Sequence, residues 1–287
     1  MDGILLINKE KGMTSRDVVN KVSYLLKTKK VGHTGTLDPM ATGVLVLGIN
    51  KGLKIIEDLT ALDKEYEAEI TLGINTDTLD ITGNILEEKV VNNITNDDID
   101  KVLNSFIGDY NMEVPIYSAI KVNGKKLYEY ARNNEEVDIP VKNVYIYNLK
   151  RTSDITYFDN KAKFNIKCKV SKGTYIRSLI RDISKELGVV GVMSELNRIK
   201  QGKFDIKDCF NLKNIENNEF KLLSILDCLD YPKYEVDDSI YKKIKNGNKI
   251  PNIYKENTII FTKNDTILAI YEIDSKNNEL FRPKKVL

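Results

Sequence analysis

The stretch Gly32-His33-Thr34-Gly35-Thr36-Leu37-Asp38-Pro39-Met40-Ala41-Thr42-Gly43 runs directly into Val44-Leu45-Val46-Leu47-Gly48-Ile49. The second part is an apolar run closed by glycine, the pattern of a strand buried on both faces. The first part consists of small residues around one acid and one imidazole. Its glycines permit backbone angles and close approaches that other residues do not, so a ligand can come near. The plain alternative for Asp38 is a helix N-cap, because Asp before Pro is a favoured capping pair. A phosphate-binding P-loop is excluded, since the glycine-lysine-serine/threonine ending is missing.

Upstream, Gly3-Ile4-Leu5-Leu6-Ile7 reads as a short buried strand. A helix follows it, with Ser15 placed to cap and Val18, Val19, Val22, Leu25 and Leu26 along one face. Downstream, Tyr66, Ala68, Ile70 and Leu72 alternate with Glu67, Glu69 and Thr71, which predicts a half-buried strand. Thr95-Asn96-Asp97-Asp98 offers a capping box ahead of Ile99, Val102, Leu103, Phe106 and Ile107, and Gly108 stops that helix. Residues 109–141 lack clean periodicity and carry Pro115, Gly124 and Pro140. They read as an insertion with short elements of its own, a common place for substrate contacts.

Two strands flank Asp159-Asn160, the second turning Phe164, Ile166, Cys168 and Val170 inward and Lys163, Lys167 and Lys169 outward. Ser171-Lys172-Gly173-Thr174 then leads into a helix with Ile176, Leu179, Ile180, Ile183 and Leu187 apolar, closed by Gly188. After about residue 230 short strands and polar turns predict a small C-terminal β domain, giving units 1–230 and 231–287. Strands and helices mixed without regular βαβ alternation indicate an α+β fold.

Composition narrows the chemistry. A net charge of +2 reveals no nucleic-acid partner, so any basic surface must come from local clustering. Cys168, Cys209 and Cys228 are odd in number and far apart, which argues against a disulfide framework or a paired-cysteine zinc site and fits a cytoplasmic location. His33 is the only histidine, so histidine-rich metal centres are excluded. No signal peptide or membrane span is expected. Any enzyme hypothesis starts from chemistry without a metal or cofactor.

Two further spots break local rules, as functional residues tend to. Arg177 follows Gly173-Thr174-Tyr175-Ile176, and with Thr174 as cap it lies in a first helical turn. There the dipole opposes a cation by roughly 0.3–1 kcal/mol unless a carboxylate or phosphate offsets it. A solvated surface arginine is the alternative. Tyr66 sits on the inward face of an aliphatic strand, either as core or as a stacking platform for a base. Lys121, Lys125 and Lys126 interleave with Tyr117, Tyr128 and Tyr130 as in RNA-binding surfaces, although such runs are ordinary in a lysine-rich chain.

The motif GHTGTLDPMATGVLVLG at 32–48 closely resembles the catalytic motif of the TruB family, bacterial tRNA pseudouridine-55 synthases. Gly3–Ser15 (GILLINKEKGMTS), Lys64–Gly83 (KEYEAEITLGINTDTLDITG), Tyr117–Arg132 (YSAIKVNGKKLYEYAR) and Ser171–Arg198 (SKGTYIRSLIRDISKELGVVGVMSELNR) resemble further family landmarks in the same order. The resemblance runs from about residue 3 to about 206, and the tail ending FRPKKVL is similar to a PUA-like RNA-binding module. Asn197 stands where an arginine is frequent. The resemblance implies a mixed-sheet pseudouridine synthase core with a thumb-like insertion at about 109–141. It also implies catalysis by Asp38, stacking of Tyr66 on the target base, pairing of Arg177 with the aspartate, and Tyr175 beside the base. His33 and Leu196 would contact extruded nucleotides and Lys9 would support the active-site loop. A monomer acting on the tRNA T stem-loop, without guide RNA, follows from the same likeness.

The residues suit that reaction on chemical grounds. Conversion of uridine to pseudouridine breaks N1–C1′, turns the base over and joins C5 to C1′, with no net redox change. Water must be kept from the detached sugar, whereas a glycosidase uses a second carboxylate to activate it. A stacked base must also be flipped out, at a cost of a few kcal/mol. The rivals are a non-catalytic RNA-binding or RNA-folding protein, which would not need Asp38, a guide-dependent synthase, and a hydrolytic glycosidase, which lacks its second acid here.

Overall fold

The computed structural model describes residues 1–287. Strand β1 (Gly3–Lys9) leads to helix α1 (Ser15–Leu25), and β2 (Val31–His33) precedes β3 (Thr42–Ile49). A 3-10 turn at Asn50–Ile55 enters α2 (Ile56–Thr60), followed by β4 (Lys64–Leu72) and a hairpin of β5 (Ile74–Thr76) with β6 (Ile85–Glu88). Next come α3 (Asn96–Ser105) and β7 (Gly108–Glu113). The excursion β8 (Lys121–Val122), β9 (Lys125–Lys126) and α4 (Leu127–Arg132) then returns to β10 (Val141–Arg151). Strands β11 (Thr156–Phe158) and β12 (Lys161–Val170), helix α5 (Ile176–Glu186), and strands β13 (Gly191–Gln201) and β14 (Phe204–Asp205) complete the main sheet. Helix α6 (Leu212–Glu216) follows. The remainder holds β15 (Lys233–Glu235), α7 (Asp238–Lys245), β16 (Ile250–Pro251), β17 (Thr258–Lys263), β18 (Thr266–Asp274) and β19 (Asn277–Val286).

The main sheet is mixed, in the order β1-β3-β13-β4-β12-β10-β7, with β2 on β3, β11 on β12 and β14 on β13. Every pairing is antiparallel except β3 with β13, which touch only at Thr42–Asn197 and Gly43–Arg198. Two half-sheets therefore meet at a two-residue seam, and the seam lies where the Asp38 loop enters β3. Gly43 makes it possible. Its φ is +105°, and a Cβ there would come within 2.3 Å of the Arg198 carbonyl oxygen and 2.6 Å of Asn197 Oδ1.

Burial explains why β3 is apolar throughout. Leu45 and Leu47 pack on Val18, Val19 and Val22 of α1. Val44 and Val46 face the other way, onto Ile225, Leu229 and Ile260 and Ile270 of the second sheet. That second sheet, β15-β17-β18-β19-β16, thus shares a core with the first. Each fully buried aliphatic side chain there is worth roughly 1.5–3 kcal/mol, so the two sheets are joined by packing as well as by the chain. On β4, Tyr66, Ala68, Ile70 and Leu72 join α3 and α5 in the largest apolar cluster.

Three local expectations change. Thr14, not Ser15, caps α1, in a capping box with Asp17. Helix α5 starts at Ile176 with Tyr175 as a cap that makes no side-chain bond, while the Thr174 hydroxyl donates to the Ser171 carbonyl instead. Of the stretch 109–141, residues 109–113 belong to the edge strand β7, paired with β10, so the excursion proper begins after Glu113.

Candidate active site

Asp38 lies on the loop from β2 to β3. No helix follows it; the chain makes one turn, with the Ala41 N–H donating to the Asp38 carbonyl at 3.0 Å, and enters β3. The helix-cap reading of Asp38-Pro39 is therefore wrong.

This loop is pinned along its length by groups from distant elements. Gln201 donates to the Thr34 hydroxyl at 2.8 Å, and Arg198 to the Gly35 carbonyl at 3.3 Å. The Ser15 hydroxyl accepts the Leu37 N–H at 2.8 Å and donates to the Leu37 carbonyl at 3.3 Å. Pro39 offers its carbonyl to the Gly12 N–H at 2.8 Å and to Lys9 Nζ at 3.3 Å. Lys9 is buried, also donates to the Met13 carbonyl at 2.7 Å, and has its ammonium brought down to about 8 by burial, with Asp38 opposing.

Arg177 grips Asp38 with two prongs, Nε to Oδ2 at 2.9 Å and Nη2 to Oδ1 at 3.2 Å. Its remaining donors reach the Thr78 carbonyl at 2.9 Å and the Tyr117 carbonyl at 3.1 Å. One guanidinium thus gathers the β5–β6 hairpin loop, the excursion and the Asp38 loop, and the carboxylate offsets the cost of a cation in the first turn of α5. The hairpin loop is ordered by buried Asp80, whose Oδ1 accepts from the Thr78 and Thr82 hydroxyls and the Thr82 N–H. The Arg177 side chain is 6% exposed and that of Asp38 35%, so the acid keeps an open edge. Burial pushes the Asp38 carboxyl above the ordinary range, and Arg177 works against that shift.

The open edge faces a cleft of about 550 Å³, a size suited to one small ligand. Its wall includes Asp38, Tyr66, Tyr175, Arg177 and Leu196, so five of the seven residues singled out in the sequence converge. Lys9 and His33 are not in the lining. Lys9 supports the loop from within the protein, and the His33 ring uses Nδ1 to accept the Gly35 N–H at 3.2 Å. Tyr66 belongs to the apolar core, as one sequence reading had it, and also reaches the cleft wall.

Sequence reasoning missed Ser15's contact with the loop, Asp80, Lys64 and Arg198. Lys64 and Arg198 line the cleft and are buried. A signal for Arg198 was present: on β13 it shares the inward face with Leu196, two positions before it, which is an unusual place for a cation.

A model of the TruB family pseudouridylate synthase N-terminal domain matches residues 23–176. The tRNA pseudouridine synthase B of Bacillus subtilis (strain 168) is 42% identical over 302 residues, covering 100% of this chain and 98% of that protein. That of Staphylococcus aureus (strain MRSA252) is 42% identical over 301 residues, covering 99% of each. Among solved structures, an H/ACA RNP bound to a substrate RNA containing 2′-deoxyuridine superposes with a TM-score of 0.70 at 20% identity, over 99% of this chain and 84% of that one. A Cbf5-Nop10-Gar1 complex gives 0.69 at 22%, over 94% and 78%. At those identities the two complexes establish the fold alone. The fold, taken with the sequence relatives, defines an isomerase of the pseudouridine synthase class. The chain belongs to the TruB family of pseudouridylate synthases.

Proposed function

We propose that this chain converts one uridine of the tRNA T loop, position 55, to pseudouridine, with Asp38 as its catalytic carboxylate. The observation that carries the reading is the two-pronged Asp38–Arg177 pair opening into a cleft walled by Tyr66. The names of the curated relatives support tRNA as the substrate. In this reading the flipped uridine enters the cleft, its base lies against Tyr66 beside Tyr175 and Leu196, and its ribose meets Asp38. The N1–C1′ bond breaks, the base turns, C5 joins C1′, and the proton lost from C5 is matched by one gained at N1. Nothing is oxidised or reduced, so the reaction asks for no redox cofactor. His33, at the base of the loop, contacts nucleotides displaced with the target.

Residues 1–230 form the catalytic unit in this proposal and 231–287 a PUA-like RNA-binding unit. Lys242, Lys243 and Lys245 in the last turn of α7 offer that unit a basic edge. The protein acts as a monomer on naked tRNA. Mapping pseudouridine in a T-arm transcript after incubation with the purified chain tests the reading: modification at that uridine without guide RNA is expected, and hydrolysis to free uracil or no modification refutes it. Because the second sheet shares a core with β3, its role is tested by Lys242→Glu/Lys243→Glu, not by truncation. Weaker tRNA binding at unchanged single-turnover rate is expected.

A further inference from the structure

Arg198 is the largest fully buried side chain of the protein, 1% exposed, and no carboxylate lies within ion-pair distance of it. Its Nε donates to the Val44 carbonyl at 2.7 Å and its Nη2 to the Gly35 carbonyl at 3.3 Å. In register it stands opposite Tyr66 on β4 and opposite Gly43 on β3, so it occupies the seam where the half-sheets join. It also contributes to the wall of the cleft. Burying a guanidinium without a counter-ion is costly, and the two carbonyls it serves could be met by a neutral donor without that cost. A charge kept in that place points to a use for the charge.

The reaction supplies one. When N1–C1′ breaks, the electron pair leaves with the base, so negative charge builds on the uracil while it turns. Arg177 is paired with Asp38 before the bond breaks, whereas a second cation at the cleft wall without a carboxylate partner is free to meet that charge from the outset. We propose that Arg198 is a positioning residue for the isomerisation, holding the Gly35 carbonyl and Tyr66 in place across the seam and keeping an uncompensated positive charge beneath the detached base. This rests on the proposed reaction at Asp38. Burial pushes the Tyr66 hydroxyl upward, and Arg198 opposes the shift, which agrees with a guanidinium close to that phenol.

The test uses Arg198→Met, which keeps length and removes charge, and Arg198→Lys, which keeps charge and removes the fork. Arg198→Met is expected to retain tRNA affinity within about twofold and to lower the single-turnover rate by about 10–100-fold, with Arg198→Lys recovering part of the loss. A wild-type rate in folded Arg198→Met overturns the proposal. Should that variant fail to fold, a cycle of Arg198→Lys with Tyr66→Phe decides: the losses are expected to be non-additive, and additive losses overturn the proposed coupling. Recovery of rate by Arg198→Lys is the readout a merely structural role would not give, since it follows the charge and not the fork; a second signal checks that the charge is there. His33 is the only imidazole, and its pKa is lowered by burial, Arg16 and Arg198. In an NMR titration it should rise in Arg198→Met and stay low in Arg198→Lys; no rise overturns the assignment of charge. Asp38→Asn assayed alongside separates the two readings. If that variant is active the proposed reaction fails, whereas if it is dead and Arg198→Met is fully active only the role of Arg198 fails.

Discussion

Asp58 on α2 and Asp38 on the β2–β3 loop both face basic partners away from bulk water, yet their carboxyls are displaced in opposite directions. Asp58 is 4% exposed. Lys284 of β19 bonds its Oδ1, Lys285 lies 3.3 Å from Oδ2, and the Tyr231 hydroxyl lies 3.3 Å from Oδ1. Burial disfavours the charged form there, but the two lysines outweigh it and hold the group below the usual carboxylate range. Asp38 is more open and has a better-shaped partner, yet burial wins, helped by the nearby charge of Asp80. The carboxylate that docks one sheet on another is over-compensated. The one facing the cleft is under-compensated, so its charge gains by meeting an electron-poor centre, the situation expected at a reactive site.

That contrast breaks most sharply at Asp38. Asp38→Asn keeps the shape and removes the charge, and should cut single-turnover pseudouridine formation by on the order of 10⁴-fold or more, with tRNA affinity nearly intact. Turnover at a tenth of the wild-type rate would put the reactive group elsewhere. Arg177→Gln comes next, with a loss of about 10²–10³-fold, because it leaves a half-buried carboxylate unpaired and frees the Thr78 and Tyr117 carbonyls. It should also move the acid limb of the pH–rate profile. In the proposed reaction Asp38 acts as the carboxylate, so activity is expected to fall as pH drops through the Asp38 pKa, which burial has raised. Arg177 holds that value down, so the limb must shift to higher pH in the variant. A limb that stays put would mean another group sets it.

Much of this site was legible in the sequence because residues of unusual type stood inside regular patterns. Asp38 among glycines and threonines, Arg177 in a first turn and Tyr66 in an aliphatic alternation each broke a local rule, and each lines the cleft. The strands and helices that carry them also follow from periodicity, β3 and α5 above all. What stayed hidden depends on pairing between distant strands. The parallel contact of β3 with β13 involves two residues, too few to leave a pattern, and it brings Arg198 against Gly43. Ser15 looked like a cap because Thr14 and Ser15 are both good caps; the local capping box with Asp17 selects Thr14, and the use Ser15 has instead depends on Leu37, far along the chain.

On the Asp58 side the expected effect is on stability. Its folded pKa lies below the unfolded value of about 3.9, so its contribution is present above that pH and is lost as pH falls through the folded value. Asp58→Asn should lower unfolding free energy at pH 7 by about 2 kcal/mol, less than a fully buried pair would lose because Lys284 and Lys285 can turn to water. The difference from wild type should vanish in acid, and turnover at 25 °C should stay within about twofold. Urea melts across pH check this. A gap persisting once the wild-type Asp58 carboxyl is fully protonated would mean the lysines are not what the variant loses.

The smallest expected effect separates two neighbouring hydroxyls. Thr14 caps α1, and Thr14→Ala should cost about 1 kcal/mol of stability and nothing in rate. Ser15 is 2% exposed, and its oxygen is the partner of the Leu37 N–H. Ser15→Ala leaves that buried donor unsatisfied, a penalty of about 1–3 kcal/mol. The loop can escape part of it by shifting Leu37, and with it Asp38, away from the geometry held by Arg177. The stability loss should therefore resemble that of Thr14→Ala, while the single-turnover rate falls about tenfold, a factor worth about 1.4 kcal/mol. Equal rates in the two variants would mean that the other ties, from Gly12, Lys9, Gln201 and Arg198, fix the loop without Ser15.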